Sequence, residues 1–142
     1  MCLQLVAYLA GKLGAETIIG LQQTTIAIVK HFILNEQETF RYSLSGLSVS
    51  EDADDKTTHE IYLTPFQDAV HAGAAGVMCA YNRVNGSYAC ENAHILNDLL
   101  KGELNFPGFV VSDYVFGQKS GNNSANAGLD LAMPNSDAYV IS

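Results

Sequence analysis

Five polar positions stand where an apolar run gives way to polar chain: Lys30, His31, Tyr81 and Asp113, which carry groups able to do acid, base or nucleophilic chemistry, and Asn82. Lys30 and His31 follow the run 25–29, Tyr81 and Asn82 close the run 75–80, and Asp113 follows 109–112. In parallel α/β folds the carboxyl ends of the strands form the functional face, so these side chains are expected to converge there. A Lys, a His, a Tyr and an Asp gathered at one sheet end would suit a barrel-type enzyme site. Two other readings use the same residues. Lys30 and Asp113 alone would make a structural ion pair at the sheet end, and a strand-end lysine also fits a Schiff-base aldolase.

The elements that must position these groups follow from the hydrophobic pattern. Residues 25–29 hold β-branched aliphatics and no charge, which reads as a buried strand. Residues 75–81 and 109–113 are further short apolar runs, the last opened by Pro107-Gly108. Strands are thus expected near 25–30, 75–80 and 108–113. Helices are expected near 57–72 and 92–104. The first opens at Thr57 or Thr58, buries Ile61, Leu63, Phe66, Ala69 and Val70 on one face, and ends at Gly73. The second buries Ile95, Leu96, Leu99 and Leu100. The acidic run 51–55 reads as a solvated loop that also sets negative charge before a helix. The segment around Asn85 and Gly86 reads as a loop, and residues 125–133 as a short helix or a further strand. Strands separated by helices predict a parallel α/β sheet; an open doubly wound sheet and a piece of a (β/α)8 barrel both fit.

Composition excludes several partners. The chain has 142 residues and a net charge of −8, and its seven Lys and Arg are scattered. Nucleic acid and anionic membrane surfaces call for clustered positive charge, so neither is an expected partner. The apolar stretch 3–10 is too short to span a bilayer and lacks the basic residues that precede a signal-peptide core. It reads as a weak signal peptide or as the start of an amphipathic helix running toward Gly20. None of the three cysteines, Cys2, Cys79 and Cys90, has a zinc-type spacing. Cys79 and Cys90 flank the polar segment 81–88, which a disulfide could close; two unpaired buried thiols fit the spacing equally well. Asn85-Gly86-Ser87 and Asn122-Asn123-Ser124 are glycosylation sequons.

Longer motifs carry a resemblance. The stretches Lys30-His31-Phe32-Ile33-Leu34-Asn35-Glu36-Gln37-Glu38 and Asp54-Asp55-Lys56-Thr57-Thr58-His59-Glu60 resemble the fungal β-glucosidases of glycoside hydrolase family 3. So do Val77-Met78-Cys79-Ala80-Tyr81-Asn82, Gly108-Phe109-Val110-Val111-Ser112-Asp113-Tyr114 and Ala127-Gly128-Leu129-Asp130-Leu131-Ala132-Met133-Pro134. The motifs occur in the family's order over residues 14–135 or so. The resemblance implies that residues 1–142 are a fragment of an N-terminal (β/α)8 TIM-barrel-like domain, about three to four βα units. It implies a retaining β-glucosidase needing no metal and no organic cofactor, secreted and acting on β-glucosides or cello-oligosaccharides in cellulose and β-glucan degradation. Asp113 takes the place of the family's nucleophile. Lys30, His31 and Arg41 take the places of groups that bind the terminal glucose, with Met78 and Tyr81 beside them. Tyr114 stands where the family usually has Trp as a sugar platform, and the loop after Arg41 is short. The family's acid/base comes from a following α/β sandwich domain, which these residues do not include, so little or no activity is expected of them alone. An inactive truncated homologue and a small sugar-binding protein are the non-catalytic alternatives.

Overall fold

A computed structural model of the chain describes residues 7–42 and 47–134. Cys2 and residues 3–6 of the apolar start lie outside the described residues. From Ala7 the chain is helical: α1 spans Ala7–Leu21, in line with the amphipathic-helix reading, and buries Ala10, Gly11 and Ile18. Three parallel strands follow at intervals, β1 (Ile28–Phe32), β3 (Gly76–Cys79) and β6 (Phe109–Ser112), and they lie in the order β1-β3-β6. Parallel neighbours need crossovers, and helices supply them. One rod runs from α2 (Asp55–Thr57) through a π-helical segment (Thr58–Leu63) into α3 (Thr64–His71). A second π-helical segment covers His94–Glu103, and α4 covers Gly121–Ala127. No helix among the described residues is long and apolar enough to cross a membrane.

The core lies between the sheet and these helices. Val77 and Val110 project into it from β3 and β6, against Leu96, Leu99 and Leu100. Phe32 meets Phe66 edge-on, with ring centroids 4.9 Å apart. Lys12 Nζ reaches Asp68 Oδ1 at 2.9 Å and pins α1 to α3.

Several expectations need correction. The first strand begins three residues later than its β-branched run, so Lys30 and His31 lie within β1 rather than after it. Nor is it a buried strand: Ile26 is 62% exposed and Ile28 41% exposed. A continuous aliphatic run signals a strand covered on both sides, but among the described residues β1 is an edge with no outer neighbour. The first long helix starts at Asp55, because Asp54 Oδ1 accepts the Thr57 N–H at 2.7 Å and caps it. Ile61 is exposed because the π spacing carries it off the buried stripe. The loop near Asn85 is in fact a hairpin. β4 (Arg83–Val84) and β5 (Ser87–Tyr88) pair antiparallel, while β2 (Ser50–Glu51) pairs parallel to β4. Asn85 and Gly86, both at positive φ, form the two-residue turn. Beyond α4, Leu131 makes an isolated parallel bridge to Val111, so the 125–133 region is both a helix end and a strand-like contact. Cys79 and Cys90 are disulfide-bonded, with Cα atoms 5.2 Å apart.

His59 joins two helical segments. Its Nε2 lies 3.1 Å from Glu103 Oε2, and its Nδ1 lies 2.8 Å from the Asp55 carbonyl. The bond to Asp55 and then that to Glu103 raise its pKa above the ordinary imidazole value. A raised folded-state value means the contribution is full below the unfolded value of about 6.5 and fades as pH rises through the folded one. Urea midpoints measured from roughly pH 5 to 9 should therefore fall with rising pH more steeply in the wild type than in His59→Gln. Parallel profiles would show that the bridge contributes nothing.

Candidate active site

The site forms where β1 and β6 end. Between Lys30 and Phe32 the ladder slips: Lys30 pairs with Met78, but Phe32 pairs with the next residue, Cys79. Two residues of β1 thus oppose one step of β3, and His31 is left out of the pairing. Bulges of this kind re-aim a side chain, and His31 Nε2 comes to lie 3.5 Å from Asp113 Oδ2. An amide nitrogen can only donate, so the contact from Asn35 Nδ2 (3.4 Å) makes His31 Nδ1 the acceptor and leaves the hydrogen on Nε2. Burial lowers the His31 pKa, as do the charges of Lys30 and Arg41, while Asp113 opposes them. The ring is therefore neutral at pH 7 and still a donor toward the carboxylate.

Asp113 is 7% exposed. Its Oδ1 accepts the N–H of Tyr114 at 2.7 Å, and its Oδ2 accepts no hydrogen bond among the described residues. One oxygen is thus fixed and the other is turned toward His31. Tyr81 donates its hydroxyl to the Tyr114 carbonyl at 2.5 Å. Burial, and next the negative charge of Asp113, push its pKa up to about 12, so it stays protonated. Arg41 lies over the Tyr81 ring, 4.9 Å from its centroid, and its Nε sits 2.7 Å from Glu38 Oε2. Tyr42 stacks on Phe116 at 5.1 Å with the planes 3° apart, joining the loop that bears Arg41 to the one that follows Asp113.

Of the residues singled out from sequence, His31, Arg41, Tyr81 and Asp113 come together. Met78 is half-buried in register with Lys30, one step before the bulge. Lys30 itself is exposed and makes no ion pair with Asp113, so the lysine–aspartate pair does not form; His31 is the carboxylate's neighbour. Tyr114 is 56% exposed, and its backbone N–H and carbonyl make its hydrogen bonds to Asp113 and Tyr81. Glu38 is held by Arg41 rather than turned to Asp113, and burial and then Glu51 raise the pKa of Glu36. Sequence reading missed Gly117. Its N–H donates to the Asp113 carbonyl at 3.3 Å, and a Cβ there would stand 2.7 Å from Asp113 N and O. Only glycine lets the loop double back so closely. A groove of about 370 Å³ lies beside the site, between α1, α3 and the free edge of β1, with Lys30 and His31 in its wall. Asp113 and Tyr81 do not line it.

A buried carboxylate at the end of a parallel strand, with an imidazole beside it and a phenol and a guanidinium close by, is a candidate site at the carboxyl ends of the strands of an α/β protein. Residues 6–141 match the profile described as Glycosyl hydrolase family 3 N terminal domain, and the chain belongs to that family. The protein named Probable beta-glucosidase M of Emericella nidulans is 54% identical over 139 residues, covering 93% of this chain and 18% of that one. The crystal structure of beta-glucosidase D2-BGL from Chaetomella raphigera superposes with a TM-score of 0.85 at 50% identity, over 94% of this chain and 18% of that chain. DesR, a beta-glucosidase from Streptomyces venezuelae in complex with D-glucose, gives 0.83 at 32% identity, over 90% and 16%. The chain therefore spans less than a fifth of the length of each of these relatives.

Proposed function

We propose that residues 1–142 are a fragment, about three to four βα units, of the N-terminal (β/α)8 barrel of a retaining β-glucosidase, and that Asp113 is its nucleophile. The observation that carries the reading is the Asp113 carboxylate, buried at a strand end with one oxygen fixed by Tyr114 N–H and the other without a hydrogen bond among the described residues. The relatives' names support the activity, and the glucose complex of one supports the sugar. The free edge of β1 and the groove beside it suit a barrel whose next strand belongs to a longer chain.

In this reading Asp113 Oδ2 attacks the anomeric carbon of a terminal β-glucosyl unit, the bond to the leaving-group oxygen breaks, and water later hydrolyses the ester. His31, Lys30 and Arg41 donate to sugar hydroxyls. Met78, Tyr81 and Tyr114 contact the ring. The acid/base carboxyl, expected roughly 5 Å from the nucleophile, comes from outside these residues. Substrates are β-glucosides or cello-oligosaccharides, with no cofactor. The disulfide supports an oxidising, extracellular location. The test is incubation with an aryl 2-deoxy-2-fluoro-β-glucoside followed by mass spectrometry. An adduct on the peptide containing Asp113 supports the reading, and its absence favours an inactive homologue.

A further inference from the structure

The loop that follows Asp113 is held in a strained shape by a group that sequence did not single out. Val115 has φ +66°, a region that β-branched residues avoid, and Phe116 N donates to Tyr114 O at 2.8 Å across it. That pattern is a γ-turn of the rare, strained hand. The Tyr114 carbonyl within this turn is the one that takes the Tyr81 hydroxyl. Such a backbone persists only where its surroundings over-determine it. The near end is fixed by the Tyr114 N–H on Asp113 Oδ1. At the far end Glu91 Oε1 accepts two consecutive backbone N–H groups, Lys119 at 2.8 Å and Ser120 at 2.5 Å. A charged acceptor on two donors is a strong clamp. Glu91 is itself anchored, because Cys90 is bonded to Cys79, which pairs in register with Ser112, the residue before Asp113.

We propose that Glu91 is a positioning residue for Asp113: without touching it, Glu91 holds the far end of the 114–119 loop and so keeps the carboxylate oxygen presented to His31. This rests on Asp113 being the nucleophile. Residue-resolved hydrogen exchange and adduct formation with the aryl fluoro-glucoside test it together. In Glu91→Ala the amides of Lys119 and Ser120 should exchange at least about tenfold faster, as when a bond to a charged group is lost. The Tyr114 amide, which reports on Asp113, should follow them, while Leu96, Leu99 and Leu100 stay protected. Adduct formation should slow by about 10²-fold, the order expected for a misplaced reacting group. Glu91→Gln, which keeps an acceptor oxygen, should recover most of both effects. Should Glu91→Ala not fold, Glu91→Asp, with its carboxylate drawn back by one carbon, is read the same way. Faster exchange at Lys119 and Ser120 with Tyr114 unchanged would overturn the proposal, as would a Glu91→Gln chain no better than Glu91→Ala. If the wild type forms no adduct, the nucleophile assignment fails, and exchange at Tyr114 still decides whether Glu91 positions the carboxylate.

Discussion

Asp113→Asn should abolish the fluoro-glucosyl adduct, a loss on the order of 10⁴-fold or more in its rate of formation. The substitution is nearly isosteric, and the amide oxygen can still accept the Tyr114 N–H that Oδ1 takes now. What goes is the negative charge at Oδ2, the atom nearest His31. An amide oxygen is a poor nucleophile, so no glycosyl bond forms. The aryl leaving group needs little protonation, and for that reason the comparison isolates the nucleophile from acid/base assistance. Protonation of the leaving group contributes about 10²–10⁴-fold, and an unactivated disaccharide should hardly react with either chain. An adduct of equal yield in Asp113→Asn would move the nucleophile elsewhere, with Glu36 and Glu38 the first positions to map. Rapid turnover of the disaccharide by the wild type would mean that one of those two supplies the acid.

The second large effect is on stability. Cys79 and Cys90 are both fully buried and close a loop of sequence separation 11. Opening a loop of that length is expected to cost about 3 kcal/mol, through the freedom returned to the unfolded chain. In a domain of this size that corresponds to a fall in Tm of roughly 10 °C. The double variant Cys79→Ala/Cys90→Ala, compared with the oxidised wild type by thermal unfolding, measures it. A shift under about 2 °C would show that packing alone holds these segments together. Because Cys90 precedes Glu91, the same variant should also loosen the Lys119 and Ser120 amides.

How far all this was legible depended on which forces are local. The short apolar runs at 75–80 and 108–113 became β3 and β6, since each is marked by glycine or proline and largely buried. The run at 25–29 is more β-branched than either but its aliphatic side chains are exposed, so composition does not set the boundary there, and the strand moved on to Lys30 and His31. Two-residue strands such as β4 and β5 are too short for any periodicity; their one local signal was Asn85-Gly86, a turn dipeptide. The segment Gly121-Asn122-Asn123-Ser124 has no apolar period, and α4 rests on its ends, the Ser120 cap and Gly128 at φ +103°. His31, Tyr81 and Asp113 could be named because a strand end is a position in sequence as well as in space. Glu91, Val115 and Gly117 could not. Their roles arise from backbone groups far along the chain, from a close approach within one loop, or from a single φ angle, none of which is signalled by spacing or pattern.

Among the described residues β1 has an unpaired outer edge with Ile26 and Ile28 bare beside it, and that edge also sets how the chain behaves in bulk solution. Unpaired strand edges attract one another only at close range, through backbone bonding and apolar contact. The net charge of −8 repels across a longer distance, which salt controls. The screening length is about 10 Å at 0.1 M salt and about 3 Å at 1 M. In dilute buffer the charge reaches further than the edge, and molecules should stay apart. In strong salt the order of ranges reverses, and light scattering should show the weight-average mass climbing with sodium chloride rather than falling. Replacing Ile26 and Ile28 by lysine should blunt the climb, although it also brings the net charge closer to zero.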